Sequence, residues 1–159
     1  MKVYFLRHGD AGDPNAWRGN DADRPLTPEG RERTAQEAAT LARLQVKLDA
    51  IVTSPLLRAR QTAEPVAGAL GIRTTLKDDE RIVDLDPRRL TSILRDHTKA
   101  DAIMLVGHEP TMSQTIAQLI GGADLELKKG GLACIELKNA DSPHGQLLWL
   151  IPPKVLAGK

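Results

Sequence analysis

The chain has 159 residues, 41% of them hydrophobic and 27% charged, with a formal net charge of +1. That composition fits one globular domain with a sizeable core, and interspersed acids and bases leave no footprint for a nucleic-acid backbone or an anionic membrane. The lone cysteine, Cys134, rules out an intramolecular disulfide framework, no apolar run approaches a membrane span, and Met1 leads straight into a strand pattern; a soluble cytoplasmic protein is expected.

Apolar runs of strand length alternate with segments of helical period, the pattern of βα units and a largely parallel sheet. Val3-Tyr4-Phe5-Leu6 reads as a first strand that surfaces at Arg7-His8-Gly9, where glycine permits a bend. Thr27-Pro28 supplies an N-cap and an N1 proline for a first helix, with Ala35, Ala38, Ala39 and Ala42 along one face. Ile51-Val52-Thr53 forms the next strand, and Ser54 is positioned to cap a second helix. The apolar positions of that helix, from Leu56 and Ala59 to Val66 and Leu70, keep helical spacing through Pro65, which should kink it, and Gly71 ends it. A third strand lies near Thr74-Thr75-Leu76. Asp86-Pro87 opens a third helix facing inward with Leu90, Ile93, Leu94 and His97. Ile103 to Val106 is a fourth strand ending in Gly107-His108, followed by a helix from about Pro110. The last third changes character: Leu132–Leu137 and Leu147–Ile151, joined by a polar turn over 139–145, read as an antiparallel pair at one side of the sheet.

Three strand ends thus offer His8 and His108 with Arg7 and Arg58, at the position where open α/β sheets bind ligands. Paired guanidiniums suit phosphoryl oxygens, because their planar donors carry permanent charge. A zinc site would want carboxylate or thiolate ligands beside the histidines, and the same two cations would oppose a divalent ion, so neither metal nor other cofactor is expected. A neutral imidazole can attack phosphorus while the other donates to the phosphoryl oxygens. The residues alone leave open which histidine attacks. His97 and His144 read as structural or surface residues, and Arg60 as a surface or ion-paired one.

Arg7-His8-Gly9, the stretch from Ser54-Pro55-Leu56-Leu57-Arg58 to Thr62, and Gly107-His108 resemble the histidine phosphatase (phosphoglycerate-mutase-like) superfamily in order, spacing and strand context. With Asp10 completing the opening and Arg24-Pro25-Leu26-Thr27 following, the chain is most similar to the short, uncapped phosphohistidine-phosphatase branch, the SixA-like proteins, over nearly its whole length. The resemblance implies a three-layer α/β sandwich with a mixed, mostly parallel central sheet, as one domain over 1–159 without a cap domain. It makes His8 the nucleophile, with Arg7, Arg58 and His108 completing the phosphate pocket. Glu80 matches by position the carboxylate that protonates the leaving oxygen in larger members, with Asp78, Asp79 and Asp84 close by as alternatives. The pocket asparagine of the family has no match at the usual spacing; Asn15 is only displaced towards it.

About 25 residues separate the third and fourth strands, too few for a closing lid. An open pocket favours a phosphoryl group presented on a protein surface, and phosphohistidine releases an imidazole that needs little help from an enzyme acid. A phosphohistidine protein is therefore the expected substrate. A small phosphomonoester is the alternative, for which Glu80 would be essential, and a non-catalytic phosphate-binding module is the reading from another class.

Overall fold

Strand β1 (Lys2–Arg7) takes a central place because every residue from Val3 to Leu6 is buried, on whichever face of the sheet it falls. In the computed structural model, which describes residues 1–139, 141 and 144–158, it pairs in parallel with β4 (Ala102–Gly107) and antiparallel with β5 (Leu132–Leu137). With β2 (Ala50–Thr53), β3 (Leu76–Asp78) and β6 (Gly145–Ile151), these form a six-stranded sheet of order β3-β2-β4-β1-β5-β6. The first four positions run parallel, and the β5–β6 hairpin closes one side in antiparallel fashion. β2 and β4 are buried throughout and, apart from Thr53, without polar side chains, as strands covered on both faces must be, whereas β6 at the edge alternates between half-buried and exposed.

Alternate residues of each strand supply the two cores. Tyr4, Leu6, Ile51, Met104 and Val106 pack against α1 (Pro28–Arg43), α2 (Leu57–Ala69) and the short α5 (Pro153–Leu156). Val3, Phe5, Val52, Ile103 and Leu105 pack against α3 (Pro87–Asp96) and α4 (Thr111–Leu119). The result is the expected three-layer sandwich. Among the described residues, no helix is long and apolar enough to cross a membrane.

Helix boundaries follow local chemistry. Thr27 caps α1 by accepting from the Gly30 N–H (2.9 Å), and Asp86 caps α3 by accepting from the Arg89 N–H (2.8 Å). At the end of α2, Gly71 adopts φ +72° while its N–H donates to Gly68 O and the Ile72 N–H donates to Ala67 O. That is the left-handed cap for which glycine is suited.

Three expectations are corrected. The buried face of α1 is Gly30, Thr34, Glu37, Ala38 and Leu41; Ala35 and Ala39 are exposed, because the alanine spacing matches the helix but carries too little apolar area to fix which side faces the core. Ser54 does not cap α2, whose N-cap is Leu56 without a side-chain bond; the Ser54 hydroxyl is drawn to His108 instead. α2 runs on through Pro65 to Ala69, as its apolar spacing predicts. Gly9 does not need glycine for its φ: a Cβ there would lie 2.7 Å from Thr34 Oγ1, so the glycine serves close packing of α1. The turn over 139–145 lies partly outside the described residues.

Candidate active site

The parallel register brings three strand ends level. Arg7 pairs with Gly107 and Thr53 with Val106, so His8, Ser54 and His108 each stand one residue beyond neighbouring strands. The ladder carries on into them: the His8 N–H donates to Gly107 O (3.0 Å) and the Ser54 N–H to Val106 O (2.9 Å). The two imidazoles lie with ring centroids 5.1 Å apart and planes inclined at 54°.

Each ring has one nitrogen committed. His8 Nδ1 lies 2.7 Å from Gly9 O, and since a carbonyl can only accept, Nδ1 carries the proton. In the neutral ring the Nε2 lone pair is therefore free. His108 Nε2 lies 2.7 Å from Ser54 Oγ, and its buried Nδ1 has no partner. Burial pushes His8 down to about 3, reinforced by His108 and the Arg58 and Arg7 charges against the opposing Gly9 bond. Burial likewise brings His108 to about 4, with the Arg58 charge next in importance. Both rings are neutral at physiological pH.

Arg58 occupies the first turn of α2 and is buried. It donates through Nη1 to Asp21 O (2.8 Å) and through Nη2 to Asp21 Oδ2 (3.0 Å), while Asp21 Oδ1 accepts from Arg24 Nε (2.8 Å). Arg24 is itself buried and donates to Ala11 O (2.8 Å), tying the 10–24 loop to the pocket. Arg7 donates through Nη1 to Leu127 O (2.9 Å). The Nε of each pocket arginine is buried without a partner, so this cluster holds three unmatched polar nitrogens with His108 Nδ1. Unmatched buried donors are costly, and an oxyanion is the ligand that would satisfy them.

The stretch after Ser54 has a second duty. Thr62 Oγ1 accepts from the Gly9 N–H (3.0 Å) while donating to Arg58 O (2.8 Å), and Gln61 Oε1 accepts from the Leu26 N–H (2.8 Å). One helix thus presents Arg58 and pins the loop carrying His8. Gly107 serves packing: a Cβ there would lie 2.7 Å from Ile82 Cγ2.

Of the four acids considered as proton donors, Asp78, Asp79, Glu80 and Asp84, three are engaged. Asp78 pairs with Arg60 (3.0 Å), Asp79 accepts from Arg81 (2.5 Å at the closest) and Asp84 faces Arg89 (3.7 Å). Glu80 is exposed on a 3-10 turn (Glu80–Ile82) and, among the described residues, its side chain has no hydrogen-bond or ion-pair partner. That turn is anchored near the site, because the Asp79 N–H donates to Thr53 O (2.8 Å) and Ile82 packs on Gly107. Asn15 is exposed and lies outside the cluster. The structure therefore brings Arg7, His8, Arg58 and His108 together and leaves Glu80 at the edge.

Sequence reasoning missed Asp21, Arg24 and Glu109. Arg24 stood in the noted Arg24-Pro25-Leu26-Thr27 segment, but its link through Asp21 to Arg58 needs the loop conformation. Glu109 follows His108, accepts from the Ser113 N–H (3.1 Å) and hydroxyl in the first turn of α4, and its charge favours the protonated form of Arg7. Among the described residues, no group of three His, Cys, Asp or Glu side chains could hold a metal ion.

Both histidines titrate below their ordinary 6.5 in the folded protein, so as pH falls below that value the unfolded chain gains protons that the folded one refuses. The stability difference between wild type and His8→Ala should move in the variant's favour by about 1.4 kcal/mol for each pH unit below 6.5. Urea unfolding of both proteins at several pH values checks this. A constant difference would contradict a neutral buried His8.

The family described as the histidine phosphatase superfamily (branch 1) matches residues 3–90. An uncharacterized protein of Picosynechococcus sp. is 41% identical over 142 residues, covering 83% of this chain and 82% of that protein. The phosphohistidine phosphatase SixA of Escherichia coli is 26% identical over 160 residues, covering 96% and 94%. A solved structure of the protein histidine phosphatase SixA complexed with tungstate superposes with TM-score 0.85 at 25% identity, over 98% of this chain and 99% of that one. The strand-end histidines and arginines, the mixed sheet and these similarities agree: the chain belongs to branch 1 of the histidine phosphatase superfamily.

Proposed function

We propose that this phosphatase acts on phosphohistidine carried by a signalling protein, through a phosphorylated His8 and without a metal. The observation that carries the reading is the His8 Nδ1 bond to Gly9 O, which leaves the Nε2 lone pair available beside two guanidiniums. Nε2 attacks phosphorus, a P–N bond forms, and the bond to the substrate imidazole breaks with its electron pair; that nitrogen takes up a proton from solvent water. Water then attacks the phosphorus, the bond to Nε2 breaks, and inorganic phosphate leaves. Arg7 and Arg58 hold the phosphoryl oxygens in ground and transition states alike, supplying the cationic charge a metal would otherwise bring. Ser54 can donate its hydroxyl proton to His108 Nε2, since its oxygen also accepts from the Leu56 N–H (3.3 Å). His108 then offers Nδ1–H to the shifting charge.

Three facts support a protein substrate over a small phosphomonoester. The β3–β4 connection holds a 3-10 turn and α3, and we read it as leaving the site uncapped. Glu80, the positional match for a proton donor, is exposed and unheld, which suits a leaving group that needs little acid assistance. A relative matched over 94% of its length, at 26% identity, is named a phosphohistidine phosphatase.

The test compares kcat/KM for a phosphorylated histidine-phosphotransfer protein and a sugar phosphate, in wild type and Glu80→Gln. An acid delivered to an alkoxide is worth roughly 10²–10⁴-fold, so the substitution should cripple the sugar phosphate reaction and cost the phosphohistidine reaction much less. Equal large losses would refute the leaving-group argument. A wild type preferring the sugar phosphate would establish the phosphomonoesterase instead.

A further inference from the structure

Helix α1 turns a carboxyl inward where its neighbours Ala38 and Leu41 are apolar. Glu37 is only 2% exposed, and among the described residues neither of its carboxyl oxygens has a hydrogen-bond partner. The side chain lies against Gly130, where a Cβ would come within 2.5 Å of Glu37 Oε1, and the φ of +77° there also favours glycine. The Gly130 N–H donates to both Arg7 O (3.1 Å) and His8 O (3.2 Å), and Gly131 O accepts from the Arg7 N–H (3.1 Å). An unpartnered acid therefore supports, from below, the turn that fixes the backbone of the nucleophile and its neighbouring arginine.

The charges around Glu37 are otherwise committed or remote. Arg33 lies one turn back on α1 and is the one charge that favours its ionised form. On the turn, Lys129 is bound to Asp10 (2.6 Å) and Lys128 faces Glu126 (4.0 Å). At the strand end Arg7 donates to Leu127 O and His8 is neutral, while Lys154 on α5 is exposed. None of them bonds the carboxyl. A buried carboxylate without a donor is expensive, so the group keeps its proton or moves towards water.

We propose that Glu37 is a positioning residue: as a neutral acid it lets the Gly130 turn close on the Arg7 and His8 carbonyls, and its ionisation loosens the turn and lowers turnover. The inference rests on the reading of His8 as nucleophile. Burial pushes the Glu37 carboxyl up to about 8, with Arg33 opposing, which places the transition just above neutrality. The folded group titrates above its ordinary 4.5, so its contribution to stability is full below that value and is lost as pH rises to about 8. Glu37→Met should therefore unfold at a higher temperature than wild type at alkaline pH, with the advantage shrinking in acid.

The experiment follows kcat/KM for an aryl phosphate across pH in wild type, Glu37→Gln and Glu37→Met, alongside the backbone amide resonances of Arg7, His8 and Gly130. Wild type should lose about tenfold for each pH unit above about 8, with the three amides titrating at the same midpoint. Both variants should keep their activity over that range and show no midpoint. An alkaline loss that persists in both variants, or a wild type whose amides do not titrate, would overturn the proposal. Titrating wild-type amides in a protein without turnover would support the latch and fault the assignment of His8 instead.

Discussion

His8→Ala is expected to abolish turnover, by at least about 10⁴-fold in kcat, because no other described side chain is placed to supply the attacking lone pair. His108 sits 5.1 Å away between ring centroids, but its Nε2 is occupied by Ser54. The fold should survive. His8 contributes one hydrogen bond to Gly9 O from a strand end, so its loss costs about 1 kcal/mol, well within what a domain tolerates. Steady-state hydrolysis with circular dichroism of the same sample separates lost chemistry from lost structure. Activity within tenfold of wild type would remove His8 from the mechanism.

Arg58→Ala is the second large effect, and it should act on binding as well as rate. In the proposed mechanism the guanidinium is the buried cation that holds the phosphoryl group, and it anchors Asp21 through two bonds, so truncation should remove an oxyanion donor and release the 10–24 loop from α2. A loss of about 10²–10³-fold in kcat/KM is expected, with vanadate or phosphate binding weakened in parallel. Arg58→Lys should recover little, since an ammonium keeps the charge but cannot hold Asp21 and a phosphoryl oxygen with one planar group. Normal vanadate affinity in Arg58→Ala would show that the anion binds elsewhere.

Much of this arrangement was legible in the sequence because strands buried on both faces are written as unbroken apolar runs. Val3 to Leu6, Ile51 to Thr53 and Ile103 to Val106 could be placed, and the chemistry stood immediately after each. The histidine–arginine cluster followed from those endings alone. What remained hidden depends on contacts distant in sequence. Ser54 carries the residue type of a helix cap, and only the parallel register with β4 makes it the partner of His108. Asp21 and Arg24 lie in a loop without periodicity, so their bonds to Arg58 and Ala11 leave no pattern to read. Glu37 was invisible for the opposite reason: an acid on an alanine-rich helix reads as solvent-facing, and its burial follows from how Gly30 and Gly130 let α1 approach the strand ends. Glu80 was found by position, and its freedom from the ion pairs that engage Asp78, Asp79 and Asp84 appears only in the structure.

The phosphorylated enzyme itself gives the most direct test of the central claim. Brief incubation of the whole protein with a ³²P-labelled phosphohistidine protein, an alkaline quench and separation of the two chains should leave label on this chain that acid removes and alkali does not. Digestion should place it on the peptide containing His8, and the His8→Ala chain should carry none. Label that is stable to acid, label on a peptide containing His108, or rapid hydrolysis with no label on the enzyme at the shortest accessible time would contradict a His8 phosphoenzyme.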